Sequence, residues 1–232
     1  MSNTVGNSST NFCNFYADHK FAYALGLWCA DGYHRSSSIG LSNISHDLIE
    51  RFKLFLVSIF PSERLRLRIY KPEMRVVSIN NFGINRVSIL SIRKAKHATY
   101  HVYVNSRPLL REFKEAKQNS KSFANTHIGW AYIAGRFDGD GTIGKDLKRD
   151  LRISYTTLND AEKDCVLLCN MGLQNTKIYR YDSSNTFVIY ISRLESAIFV
   201  EKCLPYSSRL QKLVLGSRRD LVLSEAKPDN YT

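Results

Sequence analysis

Residues 21–32 read FAYALGLWCADG, and residues 130–141 repeat that pattern as WAYIAGRFDGDG. The two stretches agree at five of twelve positions and start 109 residues apart. In each stretch small residues recur at every fourth position, which aligns them along one side of a helix. The two rows are Ala22, Gly26 and Ala30, and Ala131, Gly135 and Gly139. Glycine costs about 1 kcal/mol inside a helix, so its presence indicates a gain elsewhere. We predict that the gain is close approach of two helices, with Ala22, Gly26 and Gly135 at their interface.

Each row of small residues ends beside an Asp-Gly pair, Asp31-Gly32 in the first stretch and Asp140-Gly141 in the second. Glycine suits the left-handed residue just past a helix end. If the helices pack row against row, their ends bring Asp31 and Asp140 together. Two carboxylates at the negative ends of two helix dipoles repel each other and those dipoles. We therefore predict that a cation binds at this pair.

Charge and cysteine content narrow the class of protein. Lys and Arg outnumber Asp and Glu by 33 to 21, which gives a net charge of +12 and a pI near 9.5. This excess favours a polyanionic partner, with nucleic acid ahead of an anionic membrane surface. Because no stretch of the sequence approaches about eighteen consecutive apolar residues, we expect no membrane span. The five cysteines form no CxxC, which predicts free thiols in a reducing, intracellular compartment, either an organelle or a prokaryotic cytoplasm.

The repeat divides the chain into two halves, each predicted as helix, two strands, helix, two strands and helix. The predicted segments are a disordered tail at 1–18, a first half at 19–117, a polar linker at 118–126, a second half at 127–225 and a tail at 226–232.

The clearest strand is predicted at residues 64–70, where basic and apolar residues alternate strictly. Its outward side chains are Arg64, Arg66, Arg68 and Tyr70, and its core side chains are Leu65, Leu67 and Ile69. The other predicted elements of this half are strands at 33–44, 75–80 and 99–105, a helix from Ser45 to Pro61 and a helix from Arg107 to Lys117. Residues 81–98 show no clear pattern.

The second half repeats this order. We predict a strand at 151–156, a helix capped by Asn159-Asp160 and ended by Gly172, a hairpin of 177–181 with 187–192, and helices at 194–203 and 206–225.

With the two stretches placed on helices, ALGLWCADG at 24–32 and IAGRFDGDG at 133–141 resemble the motif that names the LAGLIDADG homing endonucleases. The resemblance covers nearly all of residues 19–223. It implies an α+β protein in which two pseudo-symmetric αββαββα halves join through the motif helices of a single, monomeric chain. Two antiparallel sheets would form a saddle over double-stranded DNA, without a protein partner. The implied activity is site-specific cleavage of both strands, typical of an intron-encoded nuclease.

The resemblance also implies roles for individual residues. Asp31 and Asp140 would hold divalent metal at the scissile phosphates, with the preceding Ala30 and Gly139 as further positions of the metal site. Carboxylate, phosphate and water ligands favour Mg2+, or Mn2+, whereas Ca2+ is expected to bind without supporting cleavage. Candidate basic or polar residues near the metals are Arg209 and Lys212 in the second half and Lys117, Lys121 and Ser45 in the first. Because Cys29 stands where the second stretch has Asp138, we predict a structural or secondary role for Asp138.

Outward strand residues are the predicted DNA contacts, to bases or to phosphates. They are Arg64, Arg66, Arg68, Tyr70, Arg75, Arg152, Ser154, Lys177, Tyr179 and Tyr181.

Less specific interpretations stay open at this point. A row of alternating arginines is usually a solvated sheet face, and an Asp-Gly pair is usually turn chemistry. The same scaffold could bind nucleic acid without cutting it, as an RNA maturase in intron splicing or a DNA-binding regulator. Retention of both Asp31 and Asp140 favours cleavage over these alternatives, and the basic strands argue against a hydrolase acting on sugars.

Overall fold

A computed structural model of the chain describes residues 18–33, 37–73, 82–125, 127–144 and 150–215. Several predicted segments lie outside these ranges. They are the strand at 75–80, residues 1–17 of the N-terminal tail, the C-terminal tail at 226–232 and the last ten residues of the predicted final helix. The described part consists of two αββαββα-like halves, as predicted. Each half carries one sheet, and helices cover one face of it.

The first half begins with a helix capped by Asp18, whose side chain accepts a hydrogen bond from the Lys20 amide at 2.9 Å. Its elements are α1 (His19–Asp31), β1 (Gly32–Tyr33), β2 (Ser38–Asn43), α2 (His46–Val57), β3 (Arg66–Pro72), β4 (Val87–Ile92), β5 (Thr99–Asn105) and α3 (Arg107–Gln118). The strand order is β1-β2-β5-β3-β4, and all neighbours are antiparallel except the parallel pair β3/β4. β4 lies within the stretch that the sequence pattern left unassigned. Its side chains are mostly exposed on both faces of an edge strand, so they do not alternate.

The alternation predicted for β3 is confirmed. Leu67 and Ile69 are fully buried, whereas Arg66 is exposed and Arg68 half-buried on the opposite face. Arg64 does not belong to the strand. It lies in a short 3-10 turn, packs over the Phe60 ring at 4.7 Å and donates to the Asn105 carbonyl.

The second half repeats the architecture with fewer strands. Its elements are α4 (His127–Asp140), β6 (Gly141–Ile143), β7 (Leu151–Tyr155), α5 (Leu158–Asn170), β8 (Lys177–Tyr181), β9 (Thr186–Ile191), α6 (Arg193–Cys203) and a final helix at 208–215, α7. The sheet order β6-β7-β9-β8 is antiparallel throughout, with the predicted hairpin as β8/β9. The cap of α5 is Thr157, which accepts from the Asp160 amide at 3.2 Å, and not the predicted Asn159-Asp160.

One hydrophobic cluster runs through both halves, because α1 and α4 pack against each other along their lengths. Between the halves, Ser120–Asn125 forms a 3-10 helix that buries Phe123, whose ring centre lies 5.8 Å from that of Tyr132. Among the described residues, no helix is long and apolar enough to cross a bilayer. The cysteines in this part of the chain, which are Cys29, Cys165, Cys169 and Cys203, are unpaired.

Candidate metal centre and nucleic-acid interface

The two rows of small residues form the seam between α1 and α4. A Cβ added to Gly26 would lie 2.1 Å from the Tyr132 carbonyl oxygen, and one added to Gly135 would lie 2.2 Å from that of Tyr23. No side chain fits between atoms this close, so the two helix backbones are in direct contact. The interface predicted from the spacing of the glycines is therefore present.

The glycines that follow the two aspartates serve the same purpose of close approach. Gly32 has an extended backbone, with φ −71° and ψ 140°, and Gly141 also lacks the positive φ that was predicted. A Cβ at Gly32 would lie 2.0 Å from the Trp28 carbonyl oxygen, and one at Gly141 would lie 2.2 Å from that of Phe137. At both places the backbone passes directly from helix into strand and lies against the last turn of the helix. Only glycine leaves room for this close approach.

Asp31 and Asp140 end the two seam helices and lie side by side. Gly139, the neighbour of Asp140, faces the other helix so closely that an added Cβ would be 3.3 Å from Asp31 Oδ2. The pKa of Asp140 is raised to about 6, mainly by burial and also by the charge of Asp31, against the opposing effect of Arg136. Burial also raises the pKa of Asp31, against a hydrogen bond from Asn43 and the charge of Arg136. Two half-buried carboxylates that disfavour each other's charge are suited to bind a cation.

The chemistry of this pair fits a hard divalent ion with further ligands from outside the protein. Neither α1 nor α4 has a basic residue in its last turn, and Arg136, one turn earlier on α4, offsets the two carboxylates only in part. Within the described ranges, no group of three or more His, Cys, Asp or Glu side chains is placed to hold a metal. Asp31 and Asp140 would thus supply only part of a coordination shell, which suits Mg2+ because it keeps water and takes phosphate oxygens. The predicted positions Ala30 and Gly139 face each other across the seam.

The two aspartates have different partners. Asn43, the last residue of β2, donates from Nδ2 to Asp31 Oδ2 at 2.6 Å. Arg136, one turn before Asp140 on α4, places Nη1 3.7 Å from Asp140 Oδ2. Sequence analysis missed both partners. A signal for Arg136 was present, since a charged residue stands in the middle of a helix predicted to be buried at a seam.

Beneath Asp140 lies a buried polar cluster that was also missed. Arg136 Nε lies 3.3 Å from Asp164 Oδ2, and both side chains are almost fully buried. The hydroxyls of Tyr132 and Tyr155 each donate to Asp164 at 3.0 Å. The Arg136 guanidinium lies 4.4 Å from the centre of the Tyr155 ring. Burial raises the pKa of both tyrosine hydroxyls well above the ordinary range.

Asp138 has a structural environment. It is buried and accepts hydrogen bonds from the Tyr23 hydroxyl at 2.6 Å, the Ser208 amide at 2.8 Å and the Ser207 hydroxyl. These bonds tie α7 to the seam. At the matching position of the first half, burial raises the pKa of the Cys29 thiol to about 11.

The predicted basic residues have defined partners. Arg209 donates to the carbonyl of Gly141, next to Asp140, and lies over the Phe137 ring. Lys212 forms an ion pair with Asp47 of the first half, and Lys117 pairs with Asp160 at 2.8 Å. Of these, Arg209 lies beside the end of α4, and its catalytic role stays a prediction.

The outer faces of the two sheets carry most of the predicted DNA contacts. On the first sheet, Arg68 packs over the Tyr103 ring at 5.1 Å. On the second, Arg152 packs over Tyr190 at 5.8 Å and pairs with Asp150. Lys177, Tyr179 and Tyr181 of β8 are exposed, Ser154 and Tyr70 are half-buried on the same outer faces, and Arg75 lies outside the described residues.

The first sheet also contains an aromatic cluster that the sequence did not predict. His101 lies between Tyr33 and Tyr103, with ring centres 4.4 and 4.8 Å away. Burial and the nearby Arg68 lower its pKa to about 4, so the imidazole is neutral at pH 7. His101 and Tyr103 are both buried, so this aromatic cluster packs within the first sheet next to Arg68.

Residues 18–118 match the family model described as a LAGLIDADG-like domain. The resemblance predicted from the two stretches is thereby confirmed. No curated protein matches the chain.

Solved structures extend the LAGLIDADG likeness of the fold to both halves. The homing endonuclease I-DmoI in complex with DNA and Ca is 20% identical, with a TM-score of 0.59 over 86% of this chain and 98% of I-DmoI. The homing endonuclease I-WcaI bound to its DNA recognition sequence is 16% identical, with a TM-score of 0.55 over 88% of this chain and 91% of I-WcaI. The full-length DUF199/WhiA protein from Thermatoga maritima is 14% identical, with a TM-score of 0.52 over 93% of this chain and 63% of that protein.

Proposed function

We propose that this protein is a site-specific endonuclease that hydrolyses both strands of a DNA target with a divalent metal. The observation that carries the proposal is the pairing of Asp31 and Asp140 at the end of the helix seam. A protein that only bound nucleic acid would gain nothing from two adjacent, half-buried carboxylates whose pKa values are both raised. Structures of I-DmoI, which shares this fold, were determined with DNA and Mn, Mg or Ca.

In this mechanism Asp31 and Asp140 would hold a divalent metal at the end of the helix seam. A bound divalent ion would supply Lewis-acid stabilisation of the charge that develops on the phosphate and would activate water. Asn43 holds the Asp31 carboxylate in one orientation through its 2.6 Å hydrogen bond. Arg209, next to the end of α4, is the candidate for a second polar contact to the phosphate or to water.

The sheets supply the binding surface. Outward arginines and tyrosines on β3, β7 and β8 lie on the faces that the helices leave uncovered. Arginine can bind guanine edges in a bidentate manner or hold phosphates, and tyrosine adds stacking and hydroxyl contacts. Because both halves belong to one chain and share one core, we propose that the protein acts as a monomer on duplex DNA.

The direct test is cleavage of a library of duplex targets in Mg2+, with Ca2+ as the control that permits binding. We expect recovered fragments to share one cut sequence, with breaks in both strands in Mg2+ and none in Ca2+. A target that is selected by binding but stays intact in both Mg2+ and Mn2+ would contradict the proposal. That result would favour a regulator or another non-cleaving binder on this scaffold.

Binding itself can be assigned to the outer sheet face with a matched pair of variants. Arg66→Ala removes an exposed charge from that face, whereas Arg111→Ala removes an exposed charge from α3, which packs on the other side of the sheet. Each lost phosphate contact reduces the slope of log affinity against log salt by about 0.9. We expect Arg66→Ala to weaken binding and Arg111→Ala to leave it unchanged, measured by fluorescence anisotropy between 50 and about 200 mM salt. Equal effects of both variants would argue against the saddle.

A further inference from the structure

Arg136 is the one charged residue in the middle of the α4 seam sequence between Trp130 and Phe137. Its side chain is only 4% exposed, and that of its partner Asp164 is 3% exposed. A buried ion pair is a weak source of stability, because desolvation offsets much of the attraction between the charges. A pair of apolar side chains would fill this space at least as favourably. The pair is therefore a candidate for a role in the function of the site.

The first half shows what the same positions look like without the pair. Leu27 stands 109 residues before Arg136, at the matching position of the repeat, and is fully buried. The helix caps Ser45 and Thr157 align α2 with α5. This alignment places the buried Phe52 at the position of Asp164. The first half therefore has buried apolar side chains at both matching positions, and among the described residues Arg136 is the one buried cation.

The geometry directs this cation toward Asp140. The guanidinium is planar and presents its N–H groups as a rigid fork. Nε faces Asp164, and Nη1 lies 3.7 Å from Asp140 Oδ2. Asp164 is itself fixed by the hydroxyls of Tyr132 and Tyr155. Arg136 is thus held by a buried carboxylate that two buried tyrosines fix in turn, and its guanidinium places a positive charge 3.7 Å from Asp140.

We propose that Arg136, held by Asp164, is a positioning residue for Asp140, so that cleavage of one DNA strand depends on this pair while cleavage of the other depends on Asn43 and Asp31. The inference rests on the proposed function. It assigns each half its own way of holding its carboxylate, an amide hydrogen bond in the first and a buried guanidinium in the second.

The test compares the cleavage rates of the two strands within single reactions, using a duplex target labelled differently on each strand. Arg136→Leu combined with Asp164→Leu removes the pair without leaving a buried charge, and makes position 136 match Leu27. Misplacing a reacting group by about 1 Å costs roughly a hundredfold in rate. We expect this double variant to cut one strand roughly 10- to 100-fold more slowly and to accumulate nicked product. Asn43→Ala should slow the opposite strand.

Rescue and stability controls separate positioning from a loss of folded protein. Arg136→Lys keeps the charge without the fork and should restore part of the rate on the affected strand. Leu168→Ala destabilises the same helix, α5, at a buried position and should leave the ratio of the two strand rates unchanged. Two results would overturn this inference and leave the proposed function intact. One is equal slowing of both strands by the Arg136/Asp164 double variant, and the other is slowing of the same strand by Asn43→Ala. If wild-type protein cut neither strand of a bound target, the proposed function would fail with it.

A measurement on the metal-free protein tests the contact without any cleavage. The 15N–1H resonance of Arg136 Nε should be protected from solvent exchange in the wild type, since the group is buried against Asp164. Asp164→Asn should accelerate exchange, and Asp140→Asn should shift the resonance. A fast-exchanging Nε–H in the wild type, or a resonance insensitive to Asp140→Asn, would contradict the placement of Arg136 between the two carboxylates.

Discussion

The two seam helices end alike but stand in unlike surroundings. α1 and α4 carry the same row of small residues and the same terminal aspartate. Asp31 is held by the Asn43 amide, whereas Asp140 lies above the buried Arg136 and Asp164. Cys29 is a half-buried thiol, whereas its counterpart Asp138 accepts hydrogen bonds from Ser207 and Ser208 at the start of α7.

This difference shows where the repeat constrains the sequence. The two halves are symmetric where the helices touch each other. Gly26 and Gly135 each meet the backbone of the opposite helix at matching positions of the repeat. The symmetry is lost where each helix faces its own half. Even the matching tyrosines donate to different carboxylates, Tyr23 to Asp138 and Tyr132 to Asp164. The seam thus fixes where the carboxylates stand, and each half supplies its own means of holding them.

The largest expected effect is equal in the two halves. Asp31→Asn and Asp140→Asn should each lower double-strand cleavage by roughly 10³-fold, the order of loss seen when one preorganised electrostatic contact is removed. Binding of the target in Ca2+ should persist, because the contacts of the sheets are unchanged. Plasmid linearisation measures the first quantity and anisotropy the second. Normal linearisation by either variant would remove that aspartate from the mechanism.

The seam glycines should also behave as an equivalent pair. Gly26→Ala and Gly135→Ala each drive a methyl group into a backbone carbonyl, so each should cost about 3 kcal/mol of unfolding free energy. Chemical denaturation with circular dichroism measures this loss. A near-native midpoint for one variant only would mean that the two helices do not touch symmetrically.

Asp138 and Cys29 should differ, although they occupy matching positions. Asp138→Ala leaves the Tyr23 hydroxyl and the Ser207 and Ser208 donors without their acceptor, at a cost of about 3 kcal/mol. Cys29→Ala removes one half-buried sulfur and should cost about 1 kcal/mol. The comparison uses the same denaturation experiment. Equal losses at the two positions would mean that the bonds from α7 to Asp138 contribute little.

The smallest effect is a pH dependence of stability in the metal-free protein. Because the folded pKa of Asp140 is raised to about 6 from 3.8, the folded state binds its proton more tightly than the unfolded chain. The carboxyl therefore contributes stability below about pH 4 that is lost as the pH rises through about 6. Asp140→Asn should raise the melting temperature in EDTA more at pH 7.5 than at pH 4, by about 2–4 °C. A difference independent of pH would contradict the raised pKa.

The sequence predicts the parts of this molecule that repeat. The spacing of Gly26 and Gly135, the alternation along β3 and the hairpin β8/β9 are local patterns, and each identifies its element. β4 was not predicted, because the exposed side chains of an edge strand need not alternate between apolar and polar. The left-handed conformation expected at Gly32 is wrong because two different demands, positive φ and close approach, both select glycine.

The placement of Asp31 beside Asp140 follows from the repeat, but their partners do not. Asn43 reaches Asp31 only because β2 pairs with β1 next to the end of α1. Arg136 and Asp164 lie 28 positions apart in sequence, and their contact depends on how α4 and α5 pack. Tertiary contacts of this kind leave no periodic signal, although a charged residue inside a buried helix indicates that some partner exists.

The central claim is that Asp31 and Asp140 together hold divalent metal against DNA. Anomalous diffraction from crystals of the protein with its selected target and Mn2+ tests it most directly. We predict anomalous peaks at the end of the seam, within bonding distance of both carboxylates and of a phosphate oxygen from each strand. Manganese bound elsewhere on the protein, with Asp31 and Asp140 free of metal in a complex whose DNA lies across the sheets, would contradict the account.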